Sequence, residues 1–322
     1  MRAFVTGATG FVGRHLVGAL REAGAEVTAM VRASSRGRDL ERQGATLVEA
    51  DLSDAAALTR AVRGHDIVYH VAGLIAARAE AEFLAVNRDG TAALVAALAA
   101  ASVRRLVLVS SQAAGGPSSG ERPLRGDEAP NPVTAYGRSK LAGESVVRGS
   151  PLDWTIVRPP AVYGPGDREM LRVFKAAARG IGPVFGDGSM RLSLIFGPDL
   201  ADALVAAGTS PDAIGGTYYA AHPEILSSRE LLAGIGRAAG RDVRIVPIPR
   251  WLGRAALHLT GATARLAGRA TVLTADKANE FFQPAWTCDA APLTAATGWR
   301  ARHNLAAGAE RTLAWYRERR WL

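Results

Sequence analysis

Cysteine is almost absent from this chain. Cys288 stands alone among 322 residues, which excludes an intramolecular disulfide and a thiolate metal cluster. Lysine is nearly as scarce: only Lys140, Lys175 and Lys277 occur, so the net charge of +9 rests on arginine. Those arginines are scattered rather than gathered into blocks, which argues against a nucleic-acid surface and leaves attraction of an anionic cofactor or substrate as the use of the charge. Arginine in place of lysine, with abundant alanine and glycine, has the look of a GC-rich bacterial genome. The six histidines, His15, His65, His70, His222, His258 and His303, lack metal-ligand spacing, so a metal site is not expected. Long apolar runs are missing as well. Trp251 to Leu266, read as the longest apolar helical stretch, is broken by Arg254, His258 and Arg265, so no membrane span is expected. The first residues, Met-Arg-Ala-Phe-Val-Thr-Gly, begin directly with a strand, leaving no room for a signal peptide and predicting a cytoplasmic protein.

What is present is an alternation of apolar strands with helical patterns. Ala3 to Thr6, Glu26 to Val31, Thr46 to Glu49, Asp66 to Val71, Arg105 to Ser110 and Trp154 to Val157 read as strands. Helical patterns separate them, at about Phe11 to Ala23, Asp54 to Arg63, Glu80 to Ala101 and around Tyr136. Strands buried on both faces and joined by helices predict an α/β fold, a doubly wound parallel sheet. After about Tyr163 the rhythm loosens into Pro- and Gly-rich loops, shorter helices such as Asp199 to Ala207, and a short strand at Thr217 to Ala220. The expected division is a nucleotide-binding domain over residues 1–162, with a returning segment near 192–222, and a smaller, interwoven α+β substrate lobe over the rest of 163–322.

Two local patterns carry chemistry. Gly7-Ala8-Thr9-Gly10-Phe11-Val12-Gly13 lies between the first strand and the first helix, where a pyrophosphate meets a helix N-terminus. Gly7 permits the tight turn, Gly10 lets backbone approach phosphate, and Gly13 lets helix pack on strand. Tyr136 and Lys140 sit four apart in Ala-Tyr-Gly-Arg-Ser-Lys, and on a helix they share a face. An ammonium beside a phenol is expected to lower the phenol pKa from about 10, producing a proton donor and acceptor for neutral pH.

The glycine spacing, together with the order of the other motifs, resembles the extended branch of the short-chain dehydrogenase/reductase superfamily. That branch holds the NAD(P)-dependent epimerases and dehydratases and the dihydroflavonol-reductase-like proteins. The resemblance spans nearly the whole chain. It takes in Asp51-Leu52, the Tyr69 to Gly73 run, Asn87 to Thr91, Val109 to Ser111, the Arg158-Pro-Pro-Ala-Val-Tyr-Gly-Pro run, Gly298-Trp299 and Trp315-Tyr316. It implies a Rossmann domain whose cofactor touches Gly7, Thr9, Gly10, Phe11, Val12 and Gly13. Asp51 and Leu52 would meet the adenine, Ala72 and Gly73 the ribose and pyrophosphate, and Pro159 and Val162, with Ala161, would wall the nicotinamide. Asp51 has a second reading as a helix cap, and Asn87 and Thr91 as braces between helix and sheet. Ser111 would orient the substrate oxygen with Ser110 as buried support, Tyr136 would move the proton, and Lys140 would tune the phenol and hold the nicotinamide ribose.

Cofactor choice turns on the end of the second strand, where a carboxylate would hold the ribose hydroxyls of NAD. Met30-Val31-Arg32-Ala33-Ser34-Ser35-Arg36 offers none until Asp39, and Arg32 is placed to clamp a 2′-phosphate with Ser34, Ser35 and Arg36 nearby, which favours NADP(H) over NAD. Dehydratases of this kind carry an Asp-Glu pair after the active-site Ser/Thr; here Gln112-Ala113 follows Ser111, which disfavours elimination. The expected activity is therefore an NADP-dependent reductase or dehydrogenase interconverting a carbonyl and a secondary alcohol. The alternatives are an NAD-dependent nucleotide-sugar epimerase, in which Arg168, Arg172 and Arg191 would serve a pyrophosphate, and a non-catalytic NADP-sensing regulator. Trp251, Leu252 and Leu259 are expected to pack as core rather than line a pocket. The substrate is a small molecule, and the resemblance implies a homodimer through helices at about 80–101 and 134–150.

Overall fold

The computed structural model describes residues 1–32, 37–120, 122–268 and 270–322. Its first half alternates strand and helix: β1 (Arg2–Thr6), α1 (Phe11–Glu22), β2 (Glu26–Val31), α2 (Arg38–Arg42), β3 (Thr46–Glu49), α3 (Ala55–Val62) and β4 (Ile67–His70). Next come α4 (Glu80–Leu84), α5 (Gly90–Ala100), β5 (Arg105–Val109), α6 (Gln112–Gly115), α7 (Ala135–Arg148), β6 (Asp153–Arg158) and β7 (Ala161–Tyr163). The second half holds α8 (Leu171–Ala178), β8 (Ile181–Phe185), β9 (Arg191–Phe196), α9 (Gly197–Thr209), β10 (Thr217–Tyr219), β11 (Ile225–Ser227) and α10 (Ser228–Ala238). It closes with β12 (Arg244–Ile248), α11 (Arg250–Leu266), α12 (Ala278–Phe281), β13 (Ala285–Trp286), α13 (Ala291–Thr297) and α14 (Leu305–Glu318).

Seven strands form one parallel sheet in the order β10-β6-β5-β4-β1-β2-β3. Its side chains alternate between two cores, as a period of two demands. Phe4, Val68, Leu106 and Leu108 face Leu58, Leu94, Leu98 and Val147 of α3, α5 and α7. Val5, Ala29, Tyr69 and Val107 face Leu16, Val17 and Leu20 of α1 and Leu200 and Leu204 of α9. The strand order reverses direction between β1 and β4. In open α/β sheets such a reversal opens the crevice that takes the ligand, beyond the C-terminal strand ends.

The second lobe is built on β9, which pairs with β7, β11 and β13. Its own core centres on Phe174, Phe196, Leu231, Ile235 and Tyr316. The chain then re-enters the first layer, since α9 covers α1 and β10 extends the main sheet beyond β6.

Two expectations fail here. The helical stretch with the strongest claim to membrane length and hydropathy is Glu80–Ala100, 21 residues including a π turn at Ala85–Asp89, rather than Trp251 to Leu266. Its Leu94, Ala97 and Leu98 are buried on the sheet. Nor are Trp251, Leu252 and Leu259 core: they are 71%, 45% and 67% exposed. Gly253, Leu257 and Gly261, four residues apart, are the buried face of α11, and they turn the bulky apolar residues outward.

Candidate active site

The glycine loop fits a pyrophosphate. Gly7 has φ +67°, and a Cβ there would meet the Ala72 amide at 2.5 Å, so the turns after β1 and β4 lie in contact. A Cβ on Gly13 would come within 2.2 Å of the Gly7 carbonyl oxygen, whereas one on Gly10 would meet only that oxygen, at 3.2 Å. No side chain caps α1 at Gly10 and its first turn holds no acid, so the first N–H groups of the helix are left for an anion. Thr6 Oγ1 accepts from the Ala72 amide at 3.2 Å and shares a hydrogen bond with His70 Nδ1 at 2.7 Å, fixing the end of β4 beside the loop.

At the adenosine end, Asp51 accepts from the Ser53 amide (2.9 Å) and hydroxyl (2.6 Å). These bonds, with Arg32 nearby, hold its carboxyl below the usual range. Asp54, and not Asp51, caps α3 through the Ala57 amide. Asp39, the first acid after β2, is tied to Arg14 Nη1 at 2.8 Å and to Arg42, while Arg14 Nε donates to the Thr9 carbonyl at 2.9 Å. Arg14 was invisible to motif reading because its role depends on that salt bridge. Ser34, Ser35 and Arg36 lie outside the described residues.

The candidate trio Ser111, Tyr136 and Lys140 comes from two places, the turn after β5 and the first turns of α7. Ser111, following β5, caps α6 by accepting from the Ala113 amide at 3.2 Å, which leaves its hydroxyl proton free to donate. Tyr136 lies in the first turn of α7, and both residues line one cavity of about 1020 Å³. Lys140, one turn on, is buried and donates to the Val109 carbonyl at 2.7 Å. Behind it, Asn87 joins α7 to the turn after β4: its side chain accepts from the Leu74 amide (2.8 Å) and donates to Ser139 Oγ (2.9 Å). Thr91 bonds His70 Nε2 at 3.0 Å, so both residues brace helix to sheet. Ser110 donates to Glu144, which receives both Nε (2.8 Å) and Nη2 (2.7 Å) of buried Arg158.

The electrostatics depart from expectation. Burial pushes the Tyr136 phenol up to about 12; the Ser111 hydroxyl pulls it down less, and Glu280 adds to the rise. Burial also brings the Lys140 ammonium down to about 8. Lys140 is not among the groups that move the phenol; its ammonium donates to the Val109 carbonyl. The carboxylate beside Tyr136 was not foreseen. Glu280 accepts from Thr134 Oγ1 at 2.9 Å and Asp276 from the Ala135 amide at 2.8 Å, so a segment some 140 residues downstream closes the N-terminus of α7.

The cavity walls are mainly apolar, with Phe83, Val173, Leu192, Leu231, Val272 and Phe281 beyond the reacting end. Val162 lines it with Pro160 and Ala161, while Pro159 is buried and its carbonyl takes the Gln112 amide at 2.8 Å. Gln112 is 3% exposed, and its Nε2 finds no partner among the described residues. Arg168, Arg172 and Arg191 do not gather: only Arg172 reaches the wall, and Arg168 stacks on Trp321 at 5.0 Å.

Comparison with known proteins identifies the family. The sequence model of the NAD dependent epimerase/dehydratase family matches residues 3–221. The chain is 36% identical over 322 residues to a ceramide reductase of Caulobacter vibrioides, covering 99% of this chain and 95% of that protein. It is 30% identical to a 4-hydroxy-2-methyl-3-oxo-4-farnesyl-3,4-dihydroquinoline-1-oxide ketoreductase of Stigmatella aurantiaca, covering 80% and 79%. The UDP-glucose 4-epimerase of Thermus thermophilus, solved with NAD, superposes with a TM-score of 0.78 at 23% identity, over 98% of this chain and 99% of that one, a likeness of fold.

Proposed function

The chain belongs to the NAD-dependent epimerase/dehydratase family, and from that premise we propose that it is an NADP-dependent reductase converting a carbonyl on a long-chain, lipid-like substrate to a secondary alcohol. The observation that carries this reading is the apolar cavity of about 1020 Å³ that ends on Ser111 and Tyr136. Its mainly apolar walls suit methylene chains, and of the arginines on them Arg78 and Arg138 are already paired with Glu82 and Glu80 rather than free for a diphosphate. The similarity to a ceramide reductase and to a ketoreductase of a farnesyl-bearing substrate points the same way.

NADPH, when bound, supplies the hydride to the carbonyl carbon. The glycine loop and the α1 N-terminus hold its pyrophosphate, and Arg32 takes its 2′-phosphate with Asp39 already neutralised by Arg14 and Arg42. Lys140 anchors the ribose side of the cleft. Ser111 donates to the substrate oxygen and holds it beside Tyr136, whose proton passes to that oxygen as negative charge develops on it. A phenol held near 12 is fully protonated at neutral pH, the state a reduction requires; an epimerase must also withdraw a proton with the same group. A reductase that draws on NADPH fits a cytoplasmic location. Dimerisation through α5 and α7 belongs to the same proposal, with Ala96, Ala99 and Ala100 exposed on α5.

The test presents purified protein with NADPH and a long-chain keto amide of the ceramide type, and separately with UDP-glucose. Oxidation of NADPH with formation of the alcohol is expected. Interconversion of UDP-glucose and UDP-galactose on retained NAD, with no NADPH turnover, would refute the reading.

A further inference from the structure

We propose that α11 docks the protein on an anionic lipid bilayer and sets the cavity mouth at its surface. Trp251, Leu252, Leu259 and Leu266 are 71%, 45%, 67% and 89% exposed. At 100° per residue they fall, with Ala255 and Ala262, on one arc about 100° wide. Single exposed apolar residues are ordinary, but a stripe of them on one helix marks a covering partner. The opposite face is fixed in the protein: a Cβ on Gly253 would strike the Phe185 ring at 2.6 Å.

Charge decides what covers the stripe. Residues 243–275 contain five arginines and no aspartate or glutamate. Arg250 and Arg254 lie over the Phe282 ring at 5.4 and 5.1 Å, and neither meets a carboxylate among the described residues. A second copy packed on this face would offer the flanking Arg250 and Arg254 no acidic partner from its own residues 243–275, which carry none. Anionic headgroups answer both features, since they neutralise the arginines while the acyl boundary takes the apolar stripe and Trp251 sits at the interface.

The helix is also continuous with the cavity: His258 and Gly261 line it. This part of the inference rests on the lipid-reductase reading, because it has a long-chain substrate pass from the bilayer into the cavity without crossing water. Docking itself requires no turnover.

Flotation of the full-length protein with vesicles tests the proposal, using phosphatidylcholine alone or mixed with phosphatidylglycerol. The wild type is expected to float with the mixed vesicles and to be released by added salt. The Trp251→Ser/Leu259→Ser/Leu266→Ser variant should bind them roughly tenfold or more weakly. Its reduction of a short, water-soluble ketone by NADPH should match the wild type, which shows the variant folded. Equal flotation of the two proteins, or none by the wild type, overturns docking. Self-association of the wild type that the triple variant abolishes overturns it as well, and assigns the stripe to a second copy. Flotation as expected with no reduction of any ketone supports docking and refutes the reductase instead.

Discussion

Lys140 should make the protein less stable at neutral pH than at pH 10, and replacing it should remove that dependence. Lys140 is 7% exposed, and among the described residues its ammonium has one hydrogen-bond acceptor, the Val109 carbonyl at 2.7 Å. Burial lowers its pKa from 10.5 to about 8. A lysine with a depressed folded-state value binds fewer protons folded than unfolded between about pH 8 and 10.5. Stability therefore rises with pH across that window, and the gain is lost as pH falls through about 8. At 1.36 kcal/mol per unit, the difference between pH 7 and pH 10 amounts to about 2–3 kcal/mol. Lys140→Met has no such group, though it orphans the Val109 carbonyl at a pH-independent cost of about 1–3 kcal/mol. Denaturant unfolding of both proteins at pH 7 and 10 separates the two effects, because subtracting variant from wild type cancels every other titration. The variant's stability relative to the wild type should fall by about 2–3 kcal/mol from pH 7 to 10. A difference constant to within about 0.5 kcal/mol would refute the claim that Lys140 is held charged at a desolvation cost.

Tyr136→Phe should lower kcat by about 10³-fold while leaving NADPH affinity near wild type, measured by steady-state turnover and fluorescence titration. In the wild type, reduction should hold level from pH 6 to 7 and decline as Lys140 loses its proton through about pH 8, whereas titration of Tyr136 lies near 12. Arg32→Glu should weaken NADPH binding by about tenfold or more and improve NADH, read from the two dissociation constants. Glu144→Ala strands the buried guanidinium of Arg158, and should cost about 3–5 kcal/mol in urea unfolding.

The parallel sheet was legible because its strands are buried on both faces and read as continuous apolar runs; β2 and β3 have the bounds expected from the sequence. The glycine loop was legible because steric need fixes its residues: Gly13 admits no side chain against the Gly7 carbonyl. Interactions between distant segments were not. Nothing local to Thr134 or Ala135 announces that Glu280 and Asp276 will close the first turn of α7. The pairing of β8 with β12 is likewise set by tertiary contact and left no period in the sequence. The α11 stripe was misread for a related reason. Apolar residues at helical spacing identify a face, and whether that face turns inward is decided by what the glycines on the other side pack against, here the Phe185 ring at Gly253.

The misjudged pKa of Tyr136 has the same origin as the cavity. Proximity in sequence put an ammonium one helical turn from the phenol, and proximity alone predicts a lowered value. Folding buries both groups, which raises an acid that ionises to an anion and lowers one that ionises from a cation. Tyr136 lies on the cavity wall, so the surroundings that raise its phenol are those that suit a methylene chain, whereas Lys140 is buried behind it against β5. A site opened to water to admit a nucleotide sugar would relax the phenol toward 10. Substituting a wall residue far from the reacting end with a neutral polar one, such as Leu231→Asn, should therefore lower the phenol's pKa together with turnover of a long-chain ketone, whereas a phenol unmoved by that change would separate its pKa from the apolar wall.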